Sequence, residues 1–175
     1  MYYRLFSETR HPLQTISEVR SAFASWELSE GLAISEPERR SVYQLDQIDE
    51  PLDTGYGHFA LFYASKHLIR KDFYAFLLRL GVTNIQAFEV ELLEIDDNAS
   101  HPAYLNFNII GVLDFDELRA LSNANPGIEA RPPLENNMLL LDTAEGDGNI
   151  LVHEYAKQKI QARYPGEVYF EAVNE

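Results

Sequence analysis

The sequence contains no cysteine among its 175 residues. Disulfides, thiol nucleophiles and cysteine-held zinc are therefore excluded, and nothing ties the chain to an oxidising compartment. Basic residues are scarce: 14 Lys and Arg stand against 28 Asp and Glu, a formal net charge of −14. A surface of that sign repels nucleic-acid phosphates and anionic lipid headgroups and attracts basic proteins. No stretch approaches the roughly 18 apolar residues of a membrane span. The opening "MYYRLFSETRHPLQ" has no basic stretch followed by an apolar run, as a secretory leader would. These absences lead to the expectation of a cytoplasmic protein that binds neither nucleic acid nor membrane.

Recognised chemical signatures are missing too. "GYG" at 55–57 has neither the Lys-Ser/Thr of a phosphate loop nor the spacing of a dinucleotide fingerprint. No G-x-S-x-G elbow occurs. The histidines His11, His58, His67, His101 and His153 stand far apart, and none has the i, i+4 spacing that puts two imidazoles on one helix face. Asp96, Asp97, His101, Asp114 and Asp116 would have to converge from neighbouring strands to hold a divalent ion. A turn role for Asp96 and Asp97 and a helix cap at Asp114 account for them without a metal. The local basic group Lys66, Arg70 and Lys71 either binds an anion or neutralises nearby acids. No catalytic residue, metal or cofactor is expected.

What is present is an ordinary globular composition, with 46% hydrophobic and 24% charged residues. A chain of this length buries roughly 70% of its unfolded surface, so one domain needs no staple. The patterning predicts an α+β fold: a mixed, mostly antiparallel sheet with a few amphipathic helices packed on it. The single domain would span 1–175, with a looser part at 1–54 and the main body at 55–175. "YYRLF" reads as a strand. Thr15 and Glu18 have capping-box spacing ahead of Ile16, Val19, Phe23 and Trp26, which predicts a helix with Trp26 in the core. Residues 35–58 are irregular, with one short strand at Val42–Leu45. "FALFYAS" predicts another strand. "YLNFNII" alternates Leu105, Phe107 and Ile109 against Asn106 and Asn108 and is expected to form a hairpin with the preceding strand. Asp147-Gly148 marks a second hairpin, between "MLLLD" and "NILV".

One phrase occurs twice. "LIRKDFYAFLLRLGVTNIQAFEV" at 68–90 is answered by "ILVHEYAKQKIQARYPGEVYFEAV" at 150–173. Each runs from an aliphatic pair through a helical pattern to a Gly and a short β-rich segment, which predicts two similar strand–helix–strand units. In the first, Asp72 is placed to cap a helix with the core face Phe73, Phe76, Leu77 and Leu80. Gly81 sits where a left-handed cap belongs. The helix stripe is expected to fold back onto the strand face of Phe88, Val90 and Leu92.

The phrase at 68–92, then "YLNFNIIGVLDFDEL", the late "MLLLD" with "ILVHEYAKQKI", the terminal "VYFEAV" and the Trp region "SWELSEGL" together resemble a family of immunity proteins of bacterial polymorphic toxin systems. That group was formerly catalogued as a domain of unknown function. The likeness covers residues 55–173 and, loosely, the first 50. It departs where the helix begins, at "IRKD" in place of a Val-Ser start. The resemblance implies a binding function without catalysis: neutralisation of a cognate protein toxin by occlusion. It carries no catalytic residues. A basic toxin would suit the acidic balance of this chain. Asp46, Asp49, Glu50 and Asp53 form an acidic stretch with no neighbouring Lys or Arg and are the first candidates for the toxin-facing surface, with Asp96 and Asp97 second. Two other readings stay open: a small-molecule- or metal-binding enzyme with a site of scattered residues, and an interaction module with an unrelated partner. The oligomeric state is not legible.

Overall fold

The computed structural model describes residues 2–7, 16–24, 26–45, 60–62, 67–93, 103–113, 139–142 and 149–172. Among them run β1 (Tyr2–Ser7), β2 (Ile16–Arg20), β3 (Ser41–Leu45), β4 (Leu61–Phe62), β5 (Leu68–Arg70), α1 (Lys71–Arg79), β6 (Ile85–Leu93), β7 (Tyr104–Ile109), β8 (Val112–Leu113), β9 (Leu139–Asp142), β10 (Asn149–His153), α2 (Glu154–Arg163) and β11 (Val168–Ala172). The strands make two mixed sheets, one ordered β11-β1-β10-β9-β8 and the other β2-β3-β6-β7-β5-β4. Pairing is antiparallel except at β3–β6 and β8–β9. The fold is α+β, as the patterning predicts, and the hairpins β6–β7 and β9–β10 both form. No described helix is long and apolar enough to cross a membrane.

The repeated phrase becomes a repeated topology. β5, α1 and β6 form a strand–helix–strand unit whose two strands lie on either side of β7, each antiparallel to it. β10, α2 and β11 do the same around β1. Both are split β-α-β units. A buried cluster unites them, taking Leu5, Ile150, Val152 and Val168 from one sheet, Ile69, Ile85, Leu105 and Phe107 from the other, and Phe73, Leu77, Ala156 and Ile160 from the helices.

Helix α1 forms for the reasons its sequence gives. Phe73 and Leu77 are buried, and Phe76 and Leu80 pack partly buried beside them. The helix closes in a Schellman motif: Val82 N donates to Leu77 O at 3.1 Å and Gly81 N to Leu78 O at 3.0 Å, with Gly81 at φ 93°. Val82 and Leu77 supply the accompanying apolar contact, each 1% exposed. An L side chain at Gly81 would carry the left-handed penalty, so Gly81→Ala should lose about 1–2 kcal/mol of stability, read from its urea midpoint. An unshifted midpoint would mean that the cap relaxes without penalty. Helix α2 is capped by His153, whose Nδ1 accepts from Tyr155 N at 3.3 Å. Glu154 in its first turn and Arg163 in its last suit the helix dipole.

Four expectations are corrected. Residues 16–20 are strand β2, not helix, because their backbone groups pair with β3. Ile16, Val19, Phe23 and Trp26 therefore do not share a stripe. Ile16 is the buried residue of β2, Phe23 is buried beyond it, and Val19 falls in a register irregularity between Glu18 and Arg20. Trp26, expected in the core, is 57% exposed. Asp72 is not the cap: Arg70 holds the N-cap position, and Asp72 stands in the first turn. Finally, α1 packs on the opposite face of β6. Ile85 and Ala87 join the helix cluster, and Lys71 of α1 reaches Glu89 at 2.9 Å. Phe88 instead packs with Phe23 and Leu28, and Val90 and Leu92 with Ile16, Tyr43, Leu68 and Tyr104. The more apolar face of β6 was assigned to the helix because a one-sided sheet was assumed, but both faces of β6 and β7 are covered. Every residue of β7 is buried, Asn106 and Asn108 included.

Candidate functional site

The face of β6 and β7 opposite the helices is crossed by residues 21–24 and 26–40, which lie between β2 and β3 and run without regular structure apart from turns. Backbone groups of such a segment have no ladder to pair with, so side chains of the sheet satisfy them. Gln86 accepts from Ile34 N at 2.9 Å and donates to Ile34 O at 3.1 Å, as a neighbouring strand would. Asn108 donates to Leu32 O at 2.7 Å and to Gln86 Oε1 at 3.1 Å. Gly111 N donates to Gly31 O at 2.9 Å, and Ala22 N to Ser41 Oγ at 3.0 Å. Phe23 stacks tilted on Phe88, ring centroids 4.9 Å apart, and Leu28 closes the cluster.

Charges brace the same segment. Arg39 lies over the Phe23 ring at 5.5 Å and pairs with Glu27 at 2.7 Å and Glu36 at 2.5 Å. Ala24 N donates to Glu27 Oε2 at 2.6 Å. That backbone hydrogen bond, with Arg39 second, holds the Glu27 carboxyl below its ordinary value. The segment is thus fixed from beneath and along its length, yet Trp26 and Leu32 project into solvent, 57% and 64% exposed. Exposed Glu30, Glu36 and Glu38 stand among them in sequence.

A second charged group joins the two split units. Arg70 pairs with Asp72 at 2.5 Å and with Glu167 at 2.8 Å, and its side chain is 14% exposed. The Tyr164 hydroxyl donates to Asp72 Oδ2 at 3.3 Å, and its ring meets Phe73 and Phe76 edge-on. Burial alone would raise the Asp72 carboxyl, but the Arg70 guanidinium outweighs it and holds the group below its ordinary value. Arg70 and Lys71 thus neutralise acids; Lys66 lies outside the described residues. The group is a fastening rather than an open site. A third polar chain runs through the sheet, where Asn106 donates to the Tyr43 hydroxyl at 2.9 Å and to His67 O at 3.4 Å. His67 is buried at a φ of 46°.

The candidate partner-binding residues Asp46, Asp49, Glu50, Asp53, Asp96 and Asp97 all lie outside the described residues, as do His101, Asp114 and Asp116. Among the described residues no group of three or more His, Asp and Glu is arranged to hold a metal ion. Sequence reasoning places Trp26 in the core and gives Gln86 and Asn108 no role at a site. The available signal was the amides within the strand patterns, Gln86 in "IQAFEV" and Asn106 and Asn108 at alternate positions of "YLNFNI".

The arrangement is that of an α+β protein with a braced surface segment that leaves Trp26 and Leu32 exposed. No family model and no curated protein matches the chain.

Proposed function

We propose that this chain is an immunity protein of a bacterial polymorphic toxin system: acting in the cytoplasm, it binds a basic cognate toxin and blocks it by occlusion, without catalysis. The supporting observation is where the charge falls. The described strands, helices and braced segments carry ten Lys and Arg against twelve Asp and Glu, whereas the remaining stretches carry four against sixteen. The acidic excess thus falls almost wholly outside the described residues, and a net charge of that sign attracts a basic partner.

The test uses the purified product of the gene adjacent to this one. Asp46, Asp49, Glu50 and Asp53 are replaced together by Asn or Gln. Association with that product should slow by about tenfold at low salt, and the difference should vanish at high salt, because screening removes steering. Co-expression should also rescue cells from the product's toxicity. Equal association rates at both salts would remove this stretch from the interface. Absence of binding and rescue by the unmodified protein would overturn the immunity reading itself.

A further inference from the structure

We propose that residues 26–38 are a preformed recognition loop that seats Trp26 and Leu32 in an apolar depression on a basic protein, with Glu30 and Glu38 meeting the cations around it. The first ground is how the loop is held. Polar side chains taken out of water are unfavourable unless they find hydrogen-bond partners, and here the half-buried Gln86 pairs through both of its amide atoms with Ile34, while the buried Asn108 amide nitrogen donates to Leu32 O. The backbone of a segment without a ladder needs such partners, and supplying them from the sheet fixes the loop's shape, which lowers the ordering penalty that a flexible segment bears on binding.

The second ground is which residues the fixed shape presents. Phe23 and Leu28 supply the burial, each 6% exposed, while the larger indole of Trp26 is left outside with Leu32. The turn beneath it is closed by Ser29, whose N and Oγ both donate to Trp26 O at 3.0 Å, so the backbone that carries the indole is fixed. Trp is the residue type most enriched where truncation abolishes binding.

The third ground is charge. Arg39 is engaged by Glu27 and Glu36. Among the described residues Glu30 and Glu38 have no ion-pair partner, and both are exposed. Apolar anchors bordered by free carboxylates fit a basic surface and disfavour a second copy of this acidic chain. For the identity of the partner this inference rests on the toxin-binding reading above.

The experiment measures binding of the adjacent gene's product to wild type, Trp26→Ala, Leu32→Ser and Leu78→Ala. Leu78 is an exposed apolar residue on α1 and serves as the control. Trp26→Ala should weaken binding by at least about 30-fold, chiefly through faster dissociation, and Leu32→Ser by about 10-fold. Leu78→Ala should bind like wild type. Thermal midpoints of the exposed-site variants should match wild type, so that loss of binding is not loss of fold. Wild-type binding with the Trp26 and Leu32 variants within threefold of it would overturn the loop while leaving the toxin reading in place. No wild-type binding would overturn both. A wild-type dimer in sedimentation that Trp26→Ala dissociates would make the loop a self-association surface and overturn the proposal.

Discussion

Leu77→Ala is expected to destabilise the protein by about 2–5 kcal/mol. Leu77 is 1% exposed, lies on the inner face of α1 and belongs to the cluster shared by both sheets and both helices. Its truncation removes the transfer free energy of three carbons and leaves a cavity that the surrounding Phe73, Val82 and strand residues can only partly fill. The same residue's carbonyl accepts the Val82 N–H that closes the helix. Its side chain shares the buried cluster with Val82, at the turn that returns the chain to β6. Leu78→Ala, one position on but 45% exposed, should cost less than about 1 kcal/mol. Urea titrations should show a lowered midpoint with an unchanged slope for Leu77→Ala. Equal midpoints for the two variants would contradict the packing.

Acid should weaken the fold well above the range in which carboxylates protonate, through His67. Burial lowers its imidazole from an ordinary value of 6.5 to about 4. The folded state therefore favours the neutral ring, while the unfolded chain takes up a proton as pH falls through 6.5. His67 contributes its full stabilisation above pH 6.5 and loses it between 6.5 and 4, a total of about 3 kcal/mol. His153 is lowered in the same direction by burial. Asp72 and Glu154, held below their ordinary values, lose their contributions only at more acidic pH. His67→Asn isolates the effect. Asn tolerates the left-handed backbone that His67 adopts at φ 46° and does not titrate. Unfolding free energies measured between pH 7 and 4.5 should fall more steeply for wild type than for His67→Asn. Parallel curves would remove His67 as the source.

The parts of the fold that sequence made legible are those where one local rule operates. At 71–81 the apolar spacing and the Gly act together within eleven positions, and the helix, its buried face and its C-terminal glycine cap form as expected, although Arg70 rather than Asp72 takes the N-cap. At 16–26 a capping box and a 3.6-residue spacing pointed to a helix, yet the open edge of β3 takes residues 16–20 as a strand. That decision belongs to a partner more than twenty residues away, so no local window contains it. The face of β6 was misassigned for a related reason. Alternation reports that two faces differ, but not that a separate segment covers the second one. The candidate site shows the same division: an acidic stretch is visible in composition, whereas the bracing of Ile34 by Gln86 depends on a contact across fifty-two positions.

The place of β1 has a consequence for how the chain assembles. Its neighbours on both sides, β10 and β11, come from the far end of the sequence. During synthesis the split unit centred on β7 emerges nearly contiguous, from Leu68 to Ile109, and can close early. Tyr2, Tyr3, Leu5 and Phe6 emerge before that unit and stay without these strand partners until residue 149 and beyond have been made. Such non-local pairing is slow, and an apolar strand left waiting is prone to join the wrong chain. Docking of β1 is thus the last commitment of the five-stranded sheet, and the yield of correctly assembled protein should be set at that step.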